Sequence, residues 1–262
     1  MHLITKNEQL ADFCARLKGQ DAVAVDTEFL REKTYWPKLC LVQVAGANEA
    51  AAIDPLADGM DISPLLALWD APETVKVFHA GRQDLEIFFH IGGRLPAPLF
   101  DTQLAAMVCG FGDQVSYETL AAKLARARLD KGSRFTDWSL RPLSQRQIEY
   151  AIGDVVHLLP VYRKLKHRLE ATGRGDWLAE ELATLTDPQT YKFEPDEAFR
   201  RLKYRGGNAR FLAVARALAA WREREAQARD LPRAWVLRDE ALLEIAHHMP
   251  RTADDLARTR GL

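Results

Sequence analysis

Five side chains in this sequence have types and spacings suited to chemistry on a phosphate ester. Asp26 and Glu28 stand two residues apart in VAVDTEFL, and residues i and i+2 of a strand project from one face. Two acids side by side repel, and acids are depleted from strands. A solvent-exposed edge face would tolerate them, but Val23, Val25 and Phe29 argue for a central strand. A cation between the two would relieve the repulsion. Asp84 lies in VFHAGRQDLEIFF, early in a helix that directly follows a strand. Taken alone, an acid in a first turn needs only the helix dipole to explain it. Tyr150 and Asp154 are four residues apart in IEYAIGDVVHLL, on one helical face. Their neighbours Ile148, Ala151, Ile152, Val155 and Val156 are apolar or small, and polar groups in such surroundings need partners. A buried Tyr–Asp hydrogen bond is one answer. Taken together, the four carboxylates suit two divalent hard cations with oxygen ligands, Mg²⁺ or Mn²⁺. Such a pair clamps the attacking and leaving oxygens of a phosphoryl displacement.

The surrounding sequence supplies elements to hold these groups. Strands are predicted at Asp21–Leu30, Leu39–Ala45, Ala50–Ile53 and Val75–His79, with helices at Pro64–Trp69 and Arg82–Phe89. From Thr102 the signals are almost all helical. Glu118–Ala127 reads as helix, and Ser144–Glu170 as a long helix that Pro160 should kink, because proline removes one backbone hydrogen bond. Residues 171–198 read as a helix and an extended linker. Residues 199–238 then hold eleven basic and three acidic residues, a local net of +8. In the helix predicted at Asn208–Arg229, Phe211, Val214, Ala215, Leu218 and Trp221 have the spacing of one buried face, with arginines on the others. Asp239–His248 and Thr252–Arg258 are two more short helices, the second opened by Thr252 with Asp255 three residues on. His247 and His248 are read as surface residues.

Composition narrows the classes. A chain of 262 residues has room for one large domain or two ordinary ones. It is 47% hydrophobic, with 36 basic and 37 acidic residues and a net charge of −1. That excludes intrinsic disorder and a wholly basic coat protein. No apolar run reaches the ~20 residues that span a bilayer, so no membrane association is expected. MHLITKNEQLADF has neither a basic n-region nor an apolar h-region, so no secretory signal is expected. Cys14, Cys40 and Cys109 form no CxxC, which argues against a zinc or redox cluster and for a cytoplasmic protein.

The ordered motifs VDTEF at 25–29, HAGRQDLE at 79–86 and YAIGDV at 150–155 resemble those of the DEDDy family of 3′→5′ exonucleases. Within that family the stretches TYWPKLCLVQVA at 34–45 and DWSLRPLSQRQIEYA at 137–151 resemble the bacterial ribonuclease D group. The resemblance covers residues 1 to about 172. It implies an α/β ribonuclease H-like fold, a mixed central sheet flanked by helices. It implies that Asp26, Glu28, Asp84 and Asp154 ligate two divalent cations, with Asp26 bridging them, and that Tyr150 orients the attacking water. The product would be a nucleoside 5′-monophosphate, released from RNA 3′ ends in tRNA processing. Residues beside the acidic pair, Thr27 and Phe29, would meet the 3′-terminal nucleotide, with His79 as a further contact.

Residues 211–246 and 250–262 resemble an HRDC domain, a helical nucleic-acid-binding module. The expected domains are therefore an exonuclease domain at 1–172, a helix and linker at 173–198, and a smaller all-α HRDC-like domain at 199–262. The last is truncated relative to the family pattern, which has further closing helices after the position of Leu262. Apolar residues near such an end, Leu242, Ile245 and Leu256, would invite association into a homodimer. Residues 123–146 hold seven basic and two acidic residues, so Arg134 and Arg141 are expected on the phosphate backbone. The expected partner is RNA, a tRNA precursor or another structured 3′ end. Two other readings stand beside it: a DNA 3′→5′ exonuclease of proofreading or repair type, and a non-catalytic RNA-binding module.

Overall fold

The structure is a computed structural model that describes residues 2–129 and 136–262. The chain divides into two compact units. One is Met1–Leu30 with Leu39–Tyr191, and the other is Arg31–Lys38 with Lys192–Leu262.

The first unit is built on a mixed sheet. Its strands are β1 (His2–Ile4), β2 (Ala22–Leu30), β3 (Lys38–Ala45), β4 (Ala50–Ile53), β5 (Val75–Phe78) and β6 (Leu99–Asp101). They lie in the order β1-β4-β3-β2-β5-β6. β3 and β4 are antiparallel, while β1 runs parallel to β4, and β5 runs parallel to both β2 and β6. The helices of this unit are α1 (Asn7–Leu17), α2 (Ser63–Trp69), α3 (Arg82–Gly92), α4 (Thr102–Val108), α5 (Tyr117–Leu120), α6 (Gln145–Val156), α7 (Leu158–Thr172) and α8 (Gly175–Thr186).

β2 is apolar on both sides because both of its faces are covered. Val23 and Val25 pack with Phe13, Trp69, Phe78 and Phe88, which come from α1, α2, β5 and α3. Ala22 and Ala24 pack on the opposite side with α4, α7 and α8. The small alanines let those helices approach closely. α6 covers β3 and β4 through Ile148, Ala151 and Ile152.

β1, α1 and β6 are additions to the sequence expectation, and two expected helices are revised. Ser144–Glu170 is two helices rather than one kinked helix. The break falls at His157, which has φ −97° and ψ −5°. Pro160 sits in the first turn of α7, where its missing N–H has no intrahelical acceptor to lose. Glu118–Ala127 is one turn of α5 followed by a π-helical turn at Ala121–Ala125. It stops at Arg126, whose φ is +56°. The segment expected as helix and linker is α8 and then two 3₁₀ turns, Pro188–Tyr191 and Pro195–Arg201.

The second unit comprises α9 (Ala209–Arg229), α10 (Arg233–Val236), α11 (Asp239–His248), α12 (Ala253–Ala257) and the Arg31–Lys38 loop. Its core is Ala198, Leu202, Phe211, Ala215, Ala219, Leu237, Ala241, Leu242 and Ala246. The expected face of α9 holds except at Trp221: Phe211 and Ala215 are buried, and Val214 and Leu218 pack against the same core. The buried stripe runs through Phe211, Ala215 and Ala219 to Arg222, Glu223 and Ala226, while Trp221 is 46% exposed. Leu242, expected at the surface, is fully buried, whereas Leu256 is 39% exposed. The Arg31–Lys38 loop is fastened to α9. The Tyr35 hydroxyl donates to Glu223, and the Tyr35 and Trp36 amides donate to Asp230 Oδ1, each at 3.0 Å. Among the described residues, no helix is long and apolar enough to cross a membrane.

Candidate active site

The register pairs Ala22–Ala24 of β2 with Val75–Val77 of β5. Asp26 and Glu28 therefore lie beyond the carboxyl end of β5, at the edge of an open α/β sheet where ligands bind. α6 brings Asp154 to them. One carboxylate oxygen from each of Asp26, Glu28 and Asp154 lies within 4.8 Å of the others. Alternation along β2 turns Thr27 to the opposite face, where α3 packs. There its hydroxyl donates to Asp84 Oδ1.

The electrostatics follow from this crowding. Burial, and then the charges of Asp84, Asp154 and Glu28, push the Asp26 carboxyl well above its usual range. Burial and the charges of Asp154 and Asp84 push Glu28 up to about 8. Asp84, 7% exposed, is raised by burial to about 7, although the Thr27 hydroxyl favours its charged form. Desolvation and like charges both oppose ionisation of such a group. The donor set is all oxygen, hard and mutually repelling, with neither sulfur nor imidazole. These residues fit a hard divalent cation.

Two groups not expected from the sequence help to shape the site. Asp101 is 1% exposed and caps α4, accepting from the amides of Gln103 at 2.8 Å and Leu104 at 3.2 Å. It also accepts from the amides of Ala80 at 3.2 Å and Gly81 at 2.8 Å. It thereby fixes the turn that starts α3 and so sets where Asp84 stands. Gly81 cannot be replaced without adjustment there, because a Cβ would come within 2.6 Å of Phe78 Cβ. An aspartate just before an apolar run is a readable N-cap signal. Its second role across the turn is tertiary. Tyr117 is the other group. Its hydroxyl donates to Gly153 O at 3.3 Å, and its ionisation is suppressed by burial and by the charges of Asp154 and Asp26. No local pattern announces it.

The remaining expected residues divide. Tyr150 lies one turn before Asp154, half-buried, with its ring 6.1 Å from that of Trp138. His79 places Nδ1 2.9 Å from Thr102 Oγ1 and its ring 5.7 Å from Tyr117, and burial keeps its imidazole neutral to lower pH than usual. Phe29 is half-buried and packs against the core that contains Val23 and Val25. Thr27 is 6% exposed and its hydroxyl is committed to Asp84, so it buttresses an acid rather than offering a donor to substrate. Arg141 is corrected outright. Its five N–H groups serve Asp54 Oδ1 and Oδ2, each at 2.6 Å, and the carbonyls of Trp138, Leu140 and Cys40. A guanidinium has five donors, so none remains for a phosphate. Arg134 lies outside the described residues.

Comparison with known proteins gives a consistent picture. Residues 1–170 match the 3′-5′ exonuclease family model, and residues 211–262 match the HRDC domain model. A ribonuclease D of Acidiphilium cryptum is 56% identical over 260 residues, 99% of this chain and 66% of that protein. The chain thus spans about two thirds of the length of that relative. The crystal structure of Escherichia coli RNase D, described as an exoribonuclease involved in structured RNA processing, matches with a TM-score of 0.91. It is 37% identical and covers 98% of this chain and 68% of that one. Brucella melitensis NrnC with bound Mg²⁺ matches at a TM-score of 0.58 and 30% identity, over 67% of this chain and 85% of that one.

Proposed function

Because this chain belongs to the ribonuclease D family of 3′-5′ exonucleases, we propose that it removes nucleotides one at a time from RNA 3′ ends by metal-assisted hydrolysis. The convergence of Asp26, Glu28 and Asp154, with Asp84 tied behind them by Thr27, carries this reading. We assign the chemistry to residues 1–172 and an RNA-gripping role to residues 199–262.

Asp26, Glu28, Asp84 and Asp154 would hold two divalent cations, Mg²⁺ or Mn²⁺. When bound, such ions neutralise charge on the phosphodiester and lower the pKa of water. The protein's own groups do the rest. The Tyr150 hydroxyl orients the attacking water by a hydrogen bond. Half-buried Phe29, next to Glu28, would contact the last nucleotide, in keeping with the sequence tolerance of base–aromatic contacts. The Thr102 hydroxyl donates to Phe78 O and so accepts from His79 Nδ1–H, which leaves Nε2 of the neutral ring as an acceptor that adds no charge. The water oxygen bonds to phosphorus, the P–O3′ bond breaks, and the 3′ oxygen left on the shortened strand takes a proton. The product is a nucleoside 5′-monophosphate. Trimming of tRNA precursors in the cytoplasm is the setting we propose. The three cysteines form no disulfide among the described residues, in keeping with a reducing compartment.

The test is hydrolysis of 5′-labelled RNA and of a DNA of matching sequence, in Mg²⁺ and in Mn²⁺. A ladder of shortened RNA, lost in EDTA, is expected, with DNA degraded more slowly. Faster loss of DNA would favour a DNA exonuclease. Binding of RNA without any ladder would leave only a binding module.

A further inference from the structure

Asp84 and Asp154 come from different helices, α3 and α6, so neither helix alone sets how far apart they stand. Tyr117 touches the surroundings of both. It is the first residue of α5 and is itself firmly placed. The Ser116 hydroxyl before it accepts from the Thr119 amide at 3.3 Å. Leu120, at the other end of the turn, is fully buried in the core that contains Val155 and Leu158.

Towards α6, the Tyr117 hydroxyl donates to Gly153 O at 3.3 Å. That carbonyl is one of the last four of α6, which a helix leaves without an internal partner. The amide four residues on, that of His157, goes to Val155 O. The Gly153 carbonyl belongs to the planar peptide unit that joins Gly153 to Asp154. A bond on it therefore restrains the backbone that carries the acid.

Towards α3, the Tyr117 ring lies 5.7 Å from the His79 ring and is tilted 47° to it, within the range of packed aromatic pairs. His79 donates from Nδ1 to the Thr102 hydroxyl at 2.9 Å, and Thr102 donates to Phe78 O at 3.0 Å. Phe78 and His79 lead into the Ala80–Gly81 turn from which α3 and Asp84 start. A phenol suits this place. The charges of Asp154 and Asp26 both act on its hydroxyl and keep it protonated. It gives one hydrogen bond and no positive charge, whereas an ammonium or guanidinium there would neutralise the acids that a cation needs.

We propose that Tyr117 is a positioning residue, a strut between the His79 turn and the Gly153 carbonyl that sets the spacing of the acids receiving the divalent cations. This rests on the metal-assisted reading above and adds a residue to it. Without the strut the four carboxylates are free to relax apart under their own repulsion, and a cation must pull them back together.

The test is Mn²⁺ binding to the full chain without RNA, with free Mn²⁺ read from its EPR signal. Tyr117→Phe keeps the ring and removes the donor. It should weaken binding about fivefold, what one neutral hydrogen bond is worth. Tyr191→Phe is the matched control. The Tyr191 hydroxyl also donates to a carbonyl in the last turn of a helix, Leu185 O of α8, at 2.7 Å, but α8 carries none of the four acids. It should lose stability and keep the native Mn²⁺ affinity. Thr102→Val frees the His79 ring at the other end of the strut and leaves Tyr117 intact, and should weaken binding as well. Native affinity in Tyr117→Phe or in Thr102→Val, or an equal loss in Tyr191→Phe, would overturn the assignment and leave the metal-assisted reading standing. A native chain that binds no Mn²⁺ would overturn both.

Discussion

The Thr27 hydroxyl, on the residue between two acids of β2, donates to the carboxylate of Asp84, 57 residues further along the chain. The bond crosses from the strand to the start of α3. It makes the third acid depend on the residue that separates the first two. Thr27→Val keeps the shape and removes the donor. Asp84 would then lose support for its charged form. Hydrolysis should fall about tenfold, what one hydrogen bond to a charged group is worth. Thr27→Ser should restore it. Equal rates for the valine and serine variants would show the bond to be incidental.

Asp26→Asn and Asp154→Asn should nearly abolish hydrolysis, because an amide is a poor ligand for a hard cation. The metal-free protein should respond in the opposite direction. Removing one of several repelling carboxylates should raise its Tm at pH 8 by about 2–4 °C, the shift for ~1 kcal/mol in a domain of this size. Calorimetry in EDTA tests the second half. A lower Tm would mean that the carboxylates stabilise one another through bonds rather than repel.

Tyr150→Phe removes one hydroxyl and none of the four acids. A loss in kcat of about 10²-fold, with KM little changed, is expected for a group that only positions water. Steady-state kinetics on a short RNA decides. An unchanged kcat would leave Tyr150 as packing for Trp138.

The raised carboxyls also set a pH dependence for stability without metal. Glu28 at about 8 and Asp84 at about 7 lie above their unfolded values, so the folded chain binds more protons than the unfolded chain. Stability then falls as pH rises through that range. His79, whose folded value is lowered, works the other way below its ordinary 6.5. The window for a clean result is therefore pH 6.5 to about 8. Thermal denaturation in EDTA should show Tm falling across it, and Mn²⁺ should flatten the slope. A flat profile in EDTA would contradict the repulsion.

Arg141→Gln should cost stability rather than RNA affinity. It strands Asp54, which is 3% exposed and held by two bonds from Arg141. Losing one partner of a buried ion pair typically costs about 3–5 kcal/mol. Urea denaturation and the salt dependence of RNA binding, measured together, separate the two roles. A reduced salt slope with unchanged stability would return Arg141 to the backbone.

Local spacing explains what was readable here. The two-residue step from Asp26 to Glu28 and the four-residue step from Tyr150 to Asp154 each name a face, and a face is all that a strand or helix needs to present a group. The strand expected at Asp21–Leu30, found as β2, is legible for the same reason. Arg141 was not, because its partner Asp54 is 87 residues away and a basic stretch looks alike whether it meets phosphate or an internal carboxylate. On α9 only Trp221 departs from the face that the spacing names. A large apolar residue at helical spacing suggests burial, yet the closely packed face here is made of Ala215 and Ala219. β1 and β6, three residues each, are too short to show a period of two.

The Arg31–Lys38 loop, counted with the helical unit although it leaves directly from β2, has a consequence during synthesis. Tyr35 and Trp36 emerge from the ribosome long before their partners Glu223 and Asp230, which are 188 and 194 residues further along. At about 5–20 residues per second the loop waits roughly 10–40 s for its anchor. Throughout that interval the two aromatic rings have nothing yet made to receive them. A gene fusion or exchange that swaps only the carboxyl-terminal helices would prolong that wait indefinitely, so a transplanted helical unit has to bring its eight-residue loop with it.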